Sequence, residues 1–173
     1  MIGYSNLPTI TNLKDKHGAI FYDFDGVMTD NRVLVSDTGA EAVFCNRSDG
    51  LAIRLFKELG IHQAIISTET NSVVARRAEK LGIPFIHKLD RAGTDKATVL
   101  KSYVLNKDID LKESIFVGND LNDIPALKLV KYPCAPHDAE AEVREIAIWI
   151  SKKSGGAGVI RDLYRDILNV GII

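Results

Sequence analysis

The sequence predicts an α/β fold, a doubly wound and mostly parallel sheet covered by helices on both faces. Three observations lead there. Short apolar runs alternate with amphipathic segments along the chain, the rhythm of strand–helix–strand crossovers. A single stretch, residues 32–46, breaks that rhythm and reads as two strands around a turn at 36–40, an inserted β-hairpin. Polar residues gather where the apolar runs stop, and in open α/β sheets ligands bind beyond the carboxyl ends of the strands.

The elements follow in order. Residues 19–24 (AIFYDF) form a buried strand that ends in the turn chemistry of Asp25-Gly26. Residues 50–59 space Leu51, Ile53, Leu55, Phe56 and Leu59 as a helix needs. Residues 63–67 (QAIIS) are strand-like, and 71–81 continue as a helix carrying Arg76, Arg77 and Lys80. A short strand at 84–87, a helix at 94–105 and a strand at 114–118 (SIFVG) come next. Residues 123–130 make a short helix that accepts Pro125 in its first turn. A weaker strand near Cys134, another at 147–151 and a helix from Val159 to Leu168 complete the pass. The glycine-rich run at 154–158 (SGGAG) reads as mobile. With no repeat, low-complexity tract or linker, residues 1–173 read as one domain.

Composition narrows the function. The chain of 173 residues is nearly half apolar and about a quarter charged, the balance of a globule with a substantial core. A net charge of -1 argues against a general nucleic-acid binder, though not against a small anionic substrate. Cys45 and Cys134 form no CxxC unit and sit in apolar surroundings, as reduced thiols do. No segment has signal-peptide character and no apolar run approaches a membrane span, so a cytoplasmic protein with no membrane partner is expected.

Four motifs carry chemistry. In DFDGVMTD, residues 23–30, Asp23 and Asp25 leave the strand end on the same side, because side chains alternate with period two. Such a pair is costly unless a cation binds between its members, and Mg²⁺ takes one or two carboxylates while leaving positions for phosphate. A surface Asp-Gly turn is the ordinary alternative. Ser67 and Thr68 close the strand QAIIS, where hydroxyl and backbone N–H groups hold phosphate oxygens, although such residues also simply cap helices. Lys96 opens a helix, and alone it would be a solvated charge. GNDLND, residues 118–123, sets Asn119, Asp120 and Asp123 at another strand end, where a metal site or an ordinary loop fits.

The order and strand placement of the four motifs resemble the haloacid dehalogenase superfamily. Within it the chain is most similar to phosphatases of 3-deoxy-octulosonate 8-phosphate and nonulosonate 9-phosphates, and to the related domain of acylneuraminate cytidylyltransferases. The resemblance runs through DFDGVMTD, the hairpin, RSDGLAIRLFKELGI, VVARRAEKLGI, TDKATVL, GNDLND and GGAGVIRDL. It implies a hairpin in place of a separate cap domain, and a homotetramer in which hairpins associate. It makes Asp23 the nucleophile, Asp25 the general acid/base, Ser67 and Thr68 the phosphate cradle, and Lys96 the cation that orients Asp23. Asp23, Asp25 and Asn119 become the Mg²⁺ ligands, with Asp120 and Asp123 behind them. The family commonly has Asp where Asn119 stands, and the amide brings an oxygen without charge. Glu69 and Arg77 are expected to read the leaving sugar acid, and Arg161 to offer an anion contact. Glu69, where octulosonate enzymes usually carry Arg, favours a nonulosonate. Two other classes remain open: a weakly active or non-catalytic assembly domain, motivated by Asn119, and a phospho-receiver module. Receivers place the phosphorylated Asp on a later strand than the acidic pair.

Overall fold

The computed structural model describes residues 6–69, 72–87 and 95–170. Its sheet has six strands in the order β5 (Phe85–His87), β4 (His62–Ser67), β1 (Ala19–Tyr22), β6 (Ile115–Val117), β7 (Tyr132–Ala135) and β8 (Trp149–Ile150), with every pairing parallel. The chain builds outward from β1 on one side, then returns to build outward on the other. The reversal leaves a crevice at the carboxyl end of β1, the switch point where doubly wound sheets bind ligands.

Both faces are covered, so the strands read as continuous apolar runs. Ile20 and Tyr22 of β1, with Ile65 and Val117, face Ile53 and Phe56 of α2 (Arg47–Glu58), Val74 of α3 (Ser72–Leu81) and Leu163 and Ile167 of α7 (Val159–Val170). Ala19, Phe21, Ile66 and Phe116 pack the other way, against Val99 and Leu100 of α4 (Lys96–Val104), Leu127 of α5 (Ile124–Leu127) and Val143 of α6 (Ala141–Ile146). Between β1 and β4 the buried polar groups are paired: the Tyr22 hydroxyl donates to Gln63 Oε1 (2.9 Å), whose amide nitrogen donates to the Ile53 carbonyl (3.0 Å). Among the described residues no helix is long and apolar enough to cross a membrane. Cys45 and Cys134 are free thiols, half-buried and buried.

The expected strands and helices are present, mostly a residue or two shorter; positions 71 and 94, expected to open two helices, lie outside the described residues. Helix α2 starts earlier than expected, because Asn46 caps it by accepting from Ser48 N (2.8 Å). Two helices had not been expected, α1 (Ile10–Asp15) and α6. Each has six residues and buries one apolar side chain, Leu13 or Val143, which is too little to make a periodicity. The hairpin exists as β2 (Leu34–Val35) and β3 (Glu41–Ala42), antiparallel and exposed, with Gly39 at φ +79° in its turn.

Helix α7 is fixed at its start by a residue of another helix. Asp49 of α2 accepts from the backbone N–H of Arg161 (2.9 Å), supplying a carboxylate to the positive end of α7. Burial pushes the Asp49 carboxyl up to about 6, against these backbone hydrogen bonds and Arg77. The folded protein therefore holds the Asp49 proton more tightly than the unfolded chain. Its ionisation costs no stability where both states are protonated, below about pH 4, and the cost grows until the folded carboxyl has ionised. Asp49→Asn should thus gain stability relative to wild type between pH 4 and 6, by up to ~3 kcal/mol, with no further change above that window. Urea unfolding of both proteins at pH 4, 5, 6 and 7 measures the difference, and a pH-independent gap would mean that Asp49 ionises normally.

Candidate active site

Asp23 continues β1 into the switch-point crevice, its N–H donating to the Val117 carbonyl of β6 (2.9 Å). Its side chain is buried, and one oxygen, Oδ1, lies 2.7 Å from the Lys96 ammonium. Lys96 is the first residue of α4, placed there by Asp95, which caps the helix by accepting from Thr98 N (2.7 Å). A cation at a helix N-terminus opposes the helix dipole. Two carboxylates offset it: Asp23, and Asp123 with Oδ1 at 2.6 Å. Burial pulls the Lys96 ammonium down, but these two partners win and hold it above the usual lysine range.

GNDLND becomes a 3₁₀ turn (Leu121–Asp123) with a capping box. Asp120 accepts from Leu121 N (2.6 Å), while Asp123 Oδ2 accepts from Asn119 N (2.9 Å) and Asp120 N (3.2 Å). Both oxygens of Asp123 are therefore committed, one to the loop and one to Lys96. Gly118 permits this, since a Cβ there would lie 2.7 Å from the Asp123 side chain.

On the opposite side of Asp23, the amide of Asn119 has one terminal atom 2.8 Å from the Asp25 carbonyl oxygen and 3.2 Å from Asp23 Oδ2. Without a cation, that atom is satisfied as nitrogen, donating to both. With the oxygen turned there, three oxygens converge, the amide's lying 2.8 Å and 3.2 Å from the other two, a set that would suit a small hard cation. Among the described residues no three His, Cys, Asp or Glu side chains form a metal cluster. The donors here are instead one carboxylate, one amide and one backbone carbonyl, so the residues fit Mg²⁺ but not a metal that wants thiolate or imidazole. Gly26, at φ +77°, is required, because a Cβ would overlap the Asn119 amide.

Burial and the Asp123 carboxylate push Asp23 up to about 7, with Lys96 pulling the other way. Asp25 is also pushed up, first by burial and then by Glu69 and Glu41, against a hydrogen bond from Thr29 (3.2 Å). Both carboxyls hold their protons more firmly than usual, and titratable groups so perturbed at a cleft are suited to acid–base chemistry.

Two adjoining cavities open here. The inner one, about 170 Å³, is lined by Asp23, Asp25, Ser67, Thr68, Glu69, Lys96, Asn119 and Asp120, all expected from sequence, together with Asn31 and Asn122, which were not. Asp123 stands behind it, buried. The outer one, about 300 Å³, shares Asp25, Asn31 and Glu69, and adds Phe24, Arg32, Glu41, Val73, Val74 and the hairpin's Val33 and Val43. Asn31 (φ +62°) and Thr29, whose hydroxyl also accepts from Gly26 N and Asn31 N (3.2 Å each), shape the turn that holds Asp25. Thr29 was visible as a fixed position of DFDGVMTD, whereas the signal for Asn31 was only its place next to that motif, and Asn is among the residues that tolerate the left-handed region.

Two expected residues lie elsewhere. Arg77 lines neither cavity; it turns towards α2 and donates to the Asn46 carbonyl (3.1 Å), while Val73 and Val74, one turn earlier, face the outer cavity. Arg161, expected to contact the site of a neighbouring subunit, lines neither cavity of its own chain; Asp49 holds its backbone N–H and its guanidinium lies over Tyr164, 5.6 Å from the ring centre. The run 154–158 is packed rather than mobile. Gly156 N donates to the Val27 carbonyl (3.1 Å), Gly155 N to Asp138 Oδ1 (2.9 Å), and the Gly156 carbonyl accepts from Asn46 Nδ2 (3.4 Å). Its glycines provide close approach: a Cβ on Gly155 would overlap the Gly26 carbonyl, and one on Gly156 would lie 2.6 Å from Asp30 N.

A sequence profile of the haloacid dehalogenase-like hydrolases matches residues 57–163. A solved structure described as an HAD-family hydrolase from Streptomyces avermitilis MA-4680 is similar at 40% identity with a TM-score of 0.85, over 94% of this chain and 88% of that one. The 3-deoxy-D-manno-octulosonate 8-phosphate phosphatase of Moraxella catarrhalis, solved with a magnesium ion, a phosphate ion and KDO, is similar at 30% identity with a TM-score of 0.81. That likeness covers 92% of this chain and 90% of that one. The N-acylneuraminate cytidylyltransferase of Oncorhynchus mykiss is 29% identical over 143 residues, 83% of this chain, which spans only 33% of that relative's length.

Since Gly155 touches backbone rather than a flexible side chain, Gly155→Ala forces the turn carrying Asp25 and Gly26 to move. A loss of roughly 1–3 kcal/mol in urea unfolding is expected, the range for overpacking a tight contact. The spacing of the Asn119 amide to Asp25 should change with it. A crystal structure of the variant with that spacing intact and wild-type stability would show that the segment does not brace the turn.

Proposed function

The chain belongs to the haloacid dehalogenase-like hydrolases, and from that premise we propose that it is a magnesium-dependent phosphomonoesterase working through an aspartyl phosphate on Asp23. The observation that carries the reading is the two-sided hold on Asp23: Lys96 on Oδ1, and the Asn119 amide with the Asp25 carbonyl on the side of Oδ2. Asp23 attacks phosphorus while the P–O bond to the leaving sugar breaks and Asp25 gives that oxygen its proton. Water then attacks the phosphoryl group, the P–O bond to Asp23 breaks and Asp25 takes the water's proton. Lys96 and the Ser67-Thr68 strand end face the phosphoryl oxygens across the inner cavity. Magnesium, held by Asp23, Asn119 and the Asp25 carbonyl, supplies positive charge to the phosphoryl group when bound.

The outer cavity receives the leaving group. Glu69 and Glu41 accept hydroxyls, and Arg32, which lines this cavity and pairs with Asp30 (2.6 Å), would exchange that partner for a sugar carboxylate, the part assigned from sequence to Arg77. We favour a nonulosonate 9-phosphate, on Glu69, with an octulosonate 8-phosphate next. The likeness to the Moraxella catarrhalis phosphatase supports the class. A non-catalytic domain is the second reading, motivated by Asn119. A screen against both sugar phosphates with Mg²⁺ should release phosphate, stop with EDTA and fail in Asp23→Asn. Turnover by purified Asp23→Asn protein would sink the nucleophile assignment, and a wild type inactive with Mg²⁺ on every sugar phosphate would favour the second reading.

We also place the chain in a homotetramer built on its hairpin. Val33, Leu34, Val35 and Phe44 are 52%, 67%, 57% and 75% exposed on a two-stranded ribbon that has too little structure to stand alone. Val43 and Cys45 of the same stretch pack instead on the chain's own core. Leu34→Glu with Phe44→Glu should therefore dissociate the assembly in sedimentation and lower activity together. A wild type that sediments as a fully active monomer would rule the tetramer out.

A further inference from the structure

Away from both cavities, α2 and α3 enclose an open groove of about 620 Å³ that shares no lining residue with either. On α2, Arg47, Gly50, Arg54 and Lys57 follow one another at three- and four-residue spacings, which put them on one face. On α3, Lys80 and Leu81 stand three and four residues after Arg77, on the same face. Gly50 lacks a side chain, so the Arg77 guanidinium lies close over α2, 3.6 Å from where a Cβ would stand. Gly50 and Leu81 make the floor, and five cations make the walls.

No carboxylate lines the groove. The nearby acids do little to neutralise it: Asp49 faces Arg77 but is committed to the start of α7, and Glu58 pairs with Arg54 at 3.6 Å on the exposed surface. Lys57 donates to the Gly82 carbonyl, a neutral acceptor that occupies one N–H and offsets none of the charge. The Nε of Arg77 is buried without a hydrogen-bond partner. In a chain whose net charge is -1, five cations drawn together are a local excess rather than a general basicity. Their mutual repulsion destabilises the fold unless an anion shares the space.

We propose that this groove is a second binding site, specific for a small anion carrying two or more linked phosphoryl groups. The extent of the site selects that class. Arg47 and Lys57 stand ~15 Å apart along α2, so one phosphate reaches only part of the wall, whereas a chain of phosphates engages both helices. A nucleoside di- or triphosphate and a sugar bisphosphate both satisfy this chemistry, and inorganic tripolyphosphate isolates it.

Calorimetric titration of the full chain with tripolyphosphate, in EDTA so that no metal bridges the anion, tests the site. Wild type should bind one equivalent. Arg47→Ser with Lys80→Ser, both exposed positions, should unfold no lower than wild type without anion and bind about tenfold more weakly or worse, as expected for losing two charge-assisted contacts. Arg47→Lys with Lys80→Arg should bind as wild type does. Absence of binding to wild type overturns the proposal, as does undiminished binding to the serine variant, which would put the anion elsewhere, including the catalytic cavity. Hydrolase activity enters none of these readings, so the groove stands or falls apart from the phosphatase assignment.

Discussion

A buried ammonium held between two buried carboxylates organises this molecule. Lys96, 2% exposed, ties the end of the first strand to the loop after β6 and sets where α4 begins. Taking such groups out of water costs several kcal/mol each, and removing one partner of a buried pair costs roughly 3–5 kcal/mol. The three groups sum to one negative charge, so the cluster is short of one positive charge. The open side is that of Asp23 Oδ2, where the amide of Asn119 and the carbonyl of Asp25 also face. Local geometry serves this cluster: Asp95 caps α4, the capping box aims Asp123, and Gly118 makes room for it.

The same economy of side chains recurs where the chain braces the turn around Asp25. Gly26, Gly118 and Gly155 are each a point where a Cβ would strike a neighbouring residue of the site or its support. Packing of this kind fixes reacting groups without flexible intermediaries, which is what pre-organisation requires. The glycine-rich run was read as mobile because glycine is permissive, yet here it serves close approach. Composition alone does not separate the two, since the difference lies in what stands opposite each glycine.

The parts of the fold that were legible share a physical property. Strands buried on both faces print continuous apolar runs, and AIFY, QAIIS and SIFV are such runs. The catalytic side was legible for a related reason: strand ends at a switch point converge, so Asp23, Ser67 and Asn119 had to meet once the sheet was placed. Residues whose position depends on helix rotation or on partners far along the chain were not legible. Arg77 was on the expected helix but turned towards α2, and the start of α7 at Arg161 is set by Asp49, 112 residues away in sequence. Asn31 and Thr29 act through a left-handed turn that periodicity does not reveal.

Charge in the inner cavity bears on the proposed use of a cation and on the proposed place of an amide among its donors. Asp23, Asp25, Glu69 and Asp120 line that cavity against a single cation, Lys96. A phosphate monoester entering as a dianion meets net repulsion there, even with Asp25 holding its proton more firmly than usual. Added positive charge removes the repulsion, and a magnesium ion also satisfies the oxygens that converge beside Asp23. A carboxylate in place of Asn119 would hold that ion more strongly but would add a fifth acid to the wall that the substrate must approach. The neutral amide gives up part of the metal's grip and lessens the barrier to the anion. Which effect dominates depends on how deeply the phosphate sits, and in this chain the Asn119 amide is buried immediately beside Asp23.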